Sequence, residues 1–229
     1  MLFRFKRAET NTIATGSHHY RAFVGPIEKY DLVAAMQFNL LTTLGLREHH
    51  TLLDIGCGSL RAGRLLIPYL LPCHYFGVEP EKWLVNDGIR YEIGKDMVKI
   101  KKPRFSFDRD FSFSVLNREF DFLVAQSIFS HAPKSTIVHC LKEAARVMKP
   151  SSLLATTYVP GETDYSGNTW VYPECVMYTF ELIERLARDA GLVATAIRWP
   201  HPNQQTWVII VRQGSEHCIP RELIDQSDK

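Results

Sequence analysis

The sequence predicts an α/β fold: a doubly wound, mostly parallel seven-stranded sheet with a C-terminal antiparallel hairpin and helices on both faces. Three observations predict it. Short apolar β-runs alternate with helix-period segments five times, the pattern of parallel strands joined by covering helices. The run Leu52-Leu-Asp-Ile-Gly-Cys-Gly58 carries a strand into a helix through two glycines at alternate positions. The chain then ends on two β-runs with no helix between them, which argues for an antiparallel edge.

Each element follows in order. Residues 1 to about 26 read as a loose arm containing His18, His19 and Tyr20, punctuated by Gly25-Pro26. From Ile27 to Leu46 the apolar residues Tyr30, Val33, Ala34, Phe38, Leu41 and Leu44 recur at helical spacing. Thr51 to Ile55 is the first strand, and a helix is expected from Leu60, kinked or shortened by Pro68. His74 to Glu79 is the second strand. Pro80, favoured in a first helical turn, precedes the next helix. Arg104 to Phe107 and Phe120 to Ala125 are the third and fourth strands. Pro133 opens a helix whose apolar face includes Ile137, Leu141, Ala145 and Met148, and Leu153 to Val159 is the fifth strand. After a polar-aromatic stretch from Pro160 to Tyr178, Thr179 suits the N-cap of a helix over Phe180 to Ala190, with Gly191 at its end. Leu192 to Trp199 and Gln205 to Arg212 form the closing hairpin. The chain divides into an arm and lid helix (1–46), a cofactor-binding domain (47–215) and a tail (216–229).

Composition narrows the function. The 229 residues are 45% hydrophobic, enough for one well-buried domain. A net charge of +2 does not favour a polyanion, so no nucleic acid is expected as partner. Five cysteines, odd in number and without a CxxC pair, read as reduced thiols of a cytoplasmic protein rather than as disulfides or a metal site. No apolar run approaches the roughly 20 residues of a membrane span. The basic start Met1 to Arg7 lacks the apolar core of a signal peptide.

In a sheet of this kind, ligands sit beyond the carboxyl ends of the strands. Asp54, Glu79, Asp108, Asp110 and Gln126-Ser127 stand there. Gly56 and Gly58 let backbone approach a ligand without a Cβ in the way. A carboxylate ending the second strand has the lone pairs to hold a ribose diol, a geometry that serves nicotinamide and adenosyl cofactors alike. A pyrophosphate-binding turn wants G-x-G-x-x-G, whereas Arg61 stands at its third glycine. Asp54 suits a cationic ligand portion such as an ammonium.

With Asp54-x-Gly56-x-Gly58, Glu79, Asp110-Phe111 and the final hairpin in this order, the chain resembles the class I S-adenosylmethionine-dependent methyltransferases over about residues 27 to 212. The resemblance implies S-adenosylmethionine as cofactor and transfer of its methyl group to an acceptor. Gly56, Cys57 and Gly58 would line the methionine part, Glu79 would bind the ribose hydroxyls, and Asp110 and Phe111 would meet the adenine edge. Gln126, Ser127 and Ile128 would floor the site near the sulfonium, with Ser59 and Pro80 beside the two turns. Many family members carry a third glycine where this chain has Leu60, so the turn is expected to be helical already at that point. Arg61 is expected to reach the cofactor carboxylate.

The acceptor is less constrained. The chain has Gln126-Ser127-Ile128-Phe129 where enzymes methylating the amino groups of adenine or glutamine carry Asn/Asp-Pro-Pro-aromatic. Its Pro72-Cys73 lies before the second strand rather than at the place of a cytosine C5 nucleophile. A small-molecule O- or N-acceptor is the remaining expectation, covered by the arm and the 160–178 loop; Tyr158, Tyr165, Trp170, Tyr172 and Tyr178 are candidates for its wall, with some of them expected in the core. His131, just past the fourth strand, stands where a catalytic base would, although a packed histidine is the plainer reading. A nicotinamide-dependent oxidoreductase and a non-catalytic cofactor-binding module are the rival readings.

Overall fold

The computed structural model describes residues 13–224. The basic N-terminal start and the rest of the expected arm within residues 1–12 lie outside the described residues, as does the end of the expected tail, 225–229. The arm's remaining part makes turns and leads into a 3-10 turn, Ile27–Lys29, and helix α1, Tyr30–Thr43. There follow strand β1 (Leu52–Ile55), helix α2 (Gly63–Tyr69), strand β2 (Tyr75–Val78), helix α3 (Lys82–Gly88), a π-helical segment (Ile89–Ile93) and helix α4 (Gly94–Lys101). Strands β3 (Arg104–Ser106) and β4 (Phe120–Ala125) precede helix α5 (Lys134–Val147) and strand β5 (Met148–Pro160). Strand β6 (Met177–Tyr178), helix α6 (Phe180–Asp189) and strands β7 (Leu192–Ile197) and β8 (Thr206–Arg212) complete the domain.

The sheet runs β3-β2-β1-β4-β5-β8-β7. The first five strands are mutually parallel, and β8 lies antiparallel between β5 and β7. The expected doubly wound sheet with its antiparallel hairpin is therefore observed. An eighth strand, β6, adds to the seven: its two residues pair with the end of β5, too short a run for alternation to reveal it. The chain passes outward from β1 to β3 and then returns to β4 on the other side of β1. This reversal opens a crevice above the carboxyl ends of β1 and β4.

Every residue of β1 and β2 is buried because both faces of the sheet are covered. Alternate side chains enter two cores. Leu53, Ile55, Phe76, Leu123, Leu154 and Ile210 pack beneath α5 and α6, against Ile137, Leu141, Ile183 and Leu186. Leu52, Tyr75, Val124, Ala155, Trp207 and Ile209 pack on the other face, against α1 and α2 through Val33, Leu40, Leu41, Leu66 and Ile67. Thr179 caps α6, its hydroxyl accepting from Leu182 N–H at 3.3 Å. Pro68 sits inside α2, which ends one residue later. Beyond β8 the tail is not free up to Ile224: Leu223 is buried, and Ile224 bridges to Ile197.

The turn after β1 differs from expectation. Leu60 is not helical but left-handed, with φ +61, and α2 starts only at Gly63. The turn thus takes left-handed conformations at Gly56 (φ +71), Gly58 (φ +53) and Leu60. Left-handed backbone costs a non-glycine residue about 1–2 kcal/mol. The Leu60 side chain is completely buried, and burying a leucine contributes about 1.5–3 kcal/mol, which offsets that cost.

Candidate functional site

The ends of β1 and β2 are stitched together. Gly56 and Cys57 N–H both donate to the Val78 carbonyl, at 2.8 and 3.1 Å. Glu79 then accepts from Gly58 N–H at 3.0 Å and from Glu81 N–H at 2.9 Å, one to each carboxylate oxygen. Each oxygen keeps a further lone pair for a ligand hydroxyl. Burial pushes the Glu79 carboxyl up to about 7, against the pull of the two N–H groups.

Beside these turns lies a cavity of about 600 Å³, the size of a small-molecule or cofactor site. Gly56, Gly58, Arg61, Glu79, Pro80, Phe111, Gln126, Ser127, Ile128 and His131, all candidates from the sequence, line it. The remaining candidates lie elsewhere. Asp54 and Cys57 face a small cavity of about 30 Å³ behind the glycine turn. Asp54 accepts from the Tyr75 hydroxyl at 2.6 Å, and burial raises its carboxyl to about 6. Burial also pushes the Cys57 thiol well up. Ser59 is completely buried, its hydroxyl 3.2 Å from that of Tyr30, and stands outside the large cavity. Asp110 is exposed and also outside the lining. Its neighbour Asp108 lines the cavity instead, its carboxylate accepting from Asp110 N–H at 3.0 Å and Ser112 N–H at 2.8 Å. That turn directs Asp108 inward, a tertiary outcome that residue type does not distinguish from the alternative.

Gly56 owes its identity to packing as well as to its backbone. A Cβ there would lie 2.2 Å from Ile128 Cδ1, so Ile128 already occupies the space above the glycine. Ser127, left-handed at φ +60, is held by Thr157, which its N–H contacts at 2.7 Å, and by Gln205, which donates to its hydroxyl at 2.8 Å. Non-glycine residues in this region are held there by their surroundings and concentrate at functional sites.

Arg61 is buried in the cavity wall. It donates to the Val24 carbonyl at 2.6 Å and to Gln126 Oε1 at 2.5 Å, while Gln126 Nε2 lies 3.1 Å from His201 Nε2. Burial lowers the guanidinium only to about 10, so it stays charged at neutral pH, and among the described residues it makes no ion pair.

His131 Nδ1 faces two carbonyls, Val171 at 2.9 Å and Glu174 at 2.8 Å, so Nδ1 carries the hydrogen and Nε2 the lone pair. Burial lowers its pKa below the ordinary value. The same contacts fasten the 160–178 loop, reinforced by Val171 N–H donating to the His131 carbonyl at 2.9 Å. That loop lays Trp170 and Tyr172 along the cavity.

The sequence does not mark Phe23, Val24, Val78, Glu81, Leu84, Arg109 and Thr136 as lining residues. Phe23 and Val24 come from the arm, which the Arg21–Glu92 ion pair at 2.7 Å and the stacking of His18 on Trp83 at 4.2 Å hold against the domain. Nothing local marks these contacts. Among the described residues no group of His, Cys, Asp and Glu is arranged to hold a metal, and no helix is long and apolar enough to cross a membrane.

No family model matches the chain. Several solved structures share its fold. Magnesium protoporphyrin IX methyltransferase from Synechocystis PCC 6803, with bound S-adenosylmethionine, superposes with a TM-score of 0.59 at 14% identity, covering 80% of this chain and 82% of that one. An S-adenosylmethionine-dependent methyltransferase from Clostridium acetobutylicum ATCC 824 gives 0.59 at 12% identity, over 84% and 96% of the two chains. A glycopeptide N-methyltransferase complexed with S-adenosylhomocysteine gives 0.59 at 11% identity, over 80% and 90%.

Proposed function

We propose that this chain, which has the class I S-adenosylmethionine-dependent methyltransferase fold, transfers a methyl group to an oxygen or nitrogen of a small-molecule acceptor. The observation that carries the reading is Glu79: a buried carboxylate fastened to the glycine turn by Gly58 N–H, with acceptor capacity left on the cavity side. The residues present fit the cofactor. Glu79 takes the ribose hydroxyls, Phe111 and Asp108 take the adenine edge, and Gly56, Gly58 and Gln126 flank the amino-acid end. Arg61 meets the cofactor carboxylate, and Asp54 acts from behind the turn as the negative charge nearest the ammonium.

S-adenosylmethionine, when bound, supplies an electrophilic methyl on a positively charged sulfur. What remains for the protein is alignment and exclusion of water. Ile128, Phe23, Trp170 and Tyr172 provide an apolar wall for that. His131, neutral and with Nδ1 committed to two carbonyls, keeps Nε2 as the base for an acceptor hydroxyl. Several of the similar structures are named for small-molecule acceptors, among them magnesium protoporphyrin IX and mitomycin, which supports an acceptor of that size class.

Calorimetry with S-adenosylhomocysteine, followed by a screen of metabolite extracts for uptake of label from methyl-labelled cofactor, tests the proposal. Binding of S-adenosylhomocysteine and a labelled small product are expected. Binding of NAD(H) in its place would overturn the proposal.

A further inference from the structure

We propose that the Tyr172 hydroxyl is a cofactor-binding group, completing with Arg61 a subsite for the carboxylate at the amino-acid end of the cofactor. This rests on the reading of the cavity as an S-adenosylmethionine site.

Four buried side-chain polar atoms among the described residues have no hydrogen-bond partner: Ser17 Oγ, Arg64 Nε, Tyr172 Oη and Trp207 Nε1. Of these four residues, only Tyr172 lines the large cavity. A buried hydroxyl left unpaired is uncommon in a folded protein, and beside a ligand cavity it calls for an acceptor on the ligand. The ring is not free to turn elsewhere, being packed on Phe23 at 5.3 Å and edge-on to His131 at 5.1 Å.

Arg61 has the complementary deficit. It is 9% exposed, and its two hydrogen-bond partners are neutral oxygens, Val24 O and Gln126 Oε1. A guanidinium carries five N–H donors, and Asp54, behind the glycine turn, attracts it without forming an ion pair with it. The arm brings the two groups to one end of the cavity, since Phe23 packs on Tyr172 while the next residue, Val24, holds Arg61. Burial pushes the Tyr172 phenol up to about 12, against the pull of Arg61, so it remains a neutral donor.

A phenol O–H beside a guanidinium offers several donors to one ligand group, which suits a planar anion with two oxygens. The acidic groups Glu79, Glu81 and Asp108 lie on the strand-β2 and strand-β3 side of the cavity and would repel a carboxylate. In this reading the ribose lies toward Glu79 and the carboxylate toward Arg61 and Tyr172.

Tyr172→Phe removes the hydroxyl and keeps the ring. The variant is expected to melt at or above the temperature of the parent, because an unpaired donor is removed. Its affinity for S-adenosylhomocysteine, by calorimetry, is expected to fall about tenfold or more. Its affinity for 5′-methylthioadenosine, which lacks the amino-acid end, is expected to stay unchanged. Unchanged affinity for S-adenosylhomocysteine would overturn the subsite, as would an equal fall for both ligands. A parent protein that binds neither ligand would overturn the cofactor reading itself, and the subsite with it.

Discussion

Glu79 shows how one residue ties the fold to the chemistry. Its carboxyl is raised from 4.5 to about 7 chiefly by burial. Between roughly those two values the folded state holds a proton that the unfolded state has lost, so stability falls as pH rises through that window. Asp54, raised from 3.8 to about 6 by burial, acts in the same direction. Ribose hydroxyls favour the ionised carboxylate, so affinity for S-adenosylhomocysteine is expected to rise with pH through about 7 and then level off. Glu79→Gln should flatten the binding profile and make the stability profile less steep, leaving the part due to Asp54. Glu79→Ala should lose about 1–3 kcal/mol of binding, the scale of hydrogen bonds to a charged group. Calorimetric titrations from pH 5.5 to 8.5 check this, and a pH-independent affinity in the parent protein would remove Glu79 from the ribose contact. Glu79 could be named from sequence because a carboxylate at the end of a β-run is a local pattern. Asp108 could not be separated from Asp110, since both follow β3 and only the hydrogen bonds of that turn decide which one faces the cavity.

At the scale of elements, the glycine turn and α3 are fitted to each other. A Cβ on Gly88 would lie 2.4 Å from the Ser59 carbonyl oxygen and 2.9 Å from Leu60 Cγ. Glycine to alanine inside a helix ordinarily stabilises by about 0.5–1 kcal/mol. Here the sign should reverse, because the new methyl meets backbone that cannot yield. Gly88→Ala is expected to destabilise by about 1–3 kcal/mol, the usual cost of overpacking, and to weaken cofactor binding by moving the turn. Urea denaturation with a parallel binding measurement decides it, and a stabilised variant would show that the contact gives way. The π-helical segment after α3 is a second such fit: its Glu92, with a side chain 4% exposed, receives Arg21 from the arm at 2.7 Å and Arg64 from α2 at 3.5 Å. The helical pattern after Pro80 was visible in sequence. The π-helical turn was not, and the arginines that its Glu92 meets come from the arm and α2, distant in the chain.

For the whole molecule, the sheet reversal at β1 and β4 makes one crevice, and the arm and the 160–178 loop roof it. A ligand held by both the sheet and its roof couples them. With S-adenosylhomocysteine at a hundred times its dissociation constant, mass action should add about 2.7 kcal/mol of stability, raising the melting temperature by about 5–10 °C for a chain of this size. Thermal unfolding with and without ligand measures it. A shift with NADH and none with S-adenosylhomocysteine would count against the assigned cofactor.

The sequence alone determined the doubly wound sheet, the closing hairpin, the glycine turn and the acidic end of β2. These rest on hydrophobic period, glycine spacing and residue type at a strand end, all expressed within a few neighbouring residues. Tertiary structure alone decided that Leu60 is left-handed, that Asp108 rather than Asp110 enters the cavity, and that the arm holds Arg61 through Val24 and packs Phe23 on Tyr172. Those outcomes depend on burial and on hydrogen bonds between segments far apart in the chain, and such contacts leave no local periodicity to read.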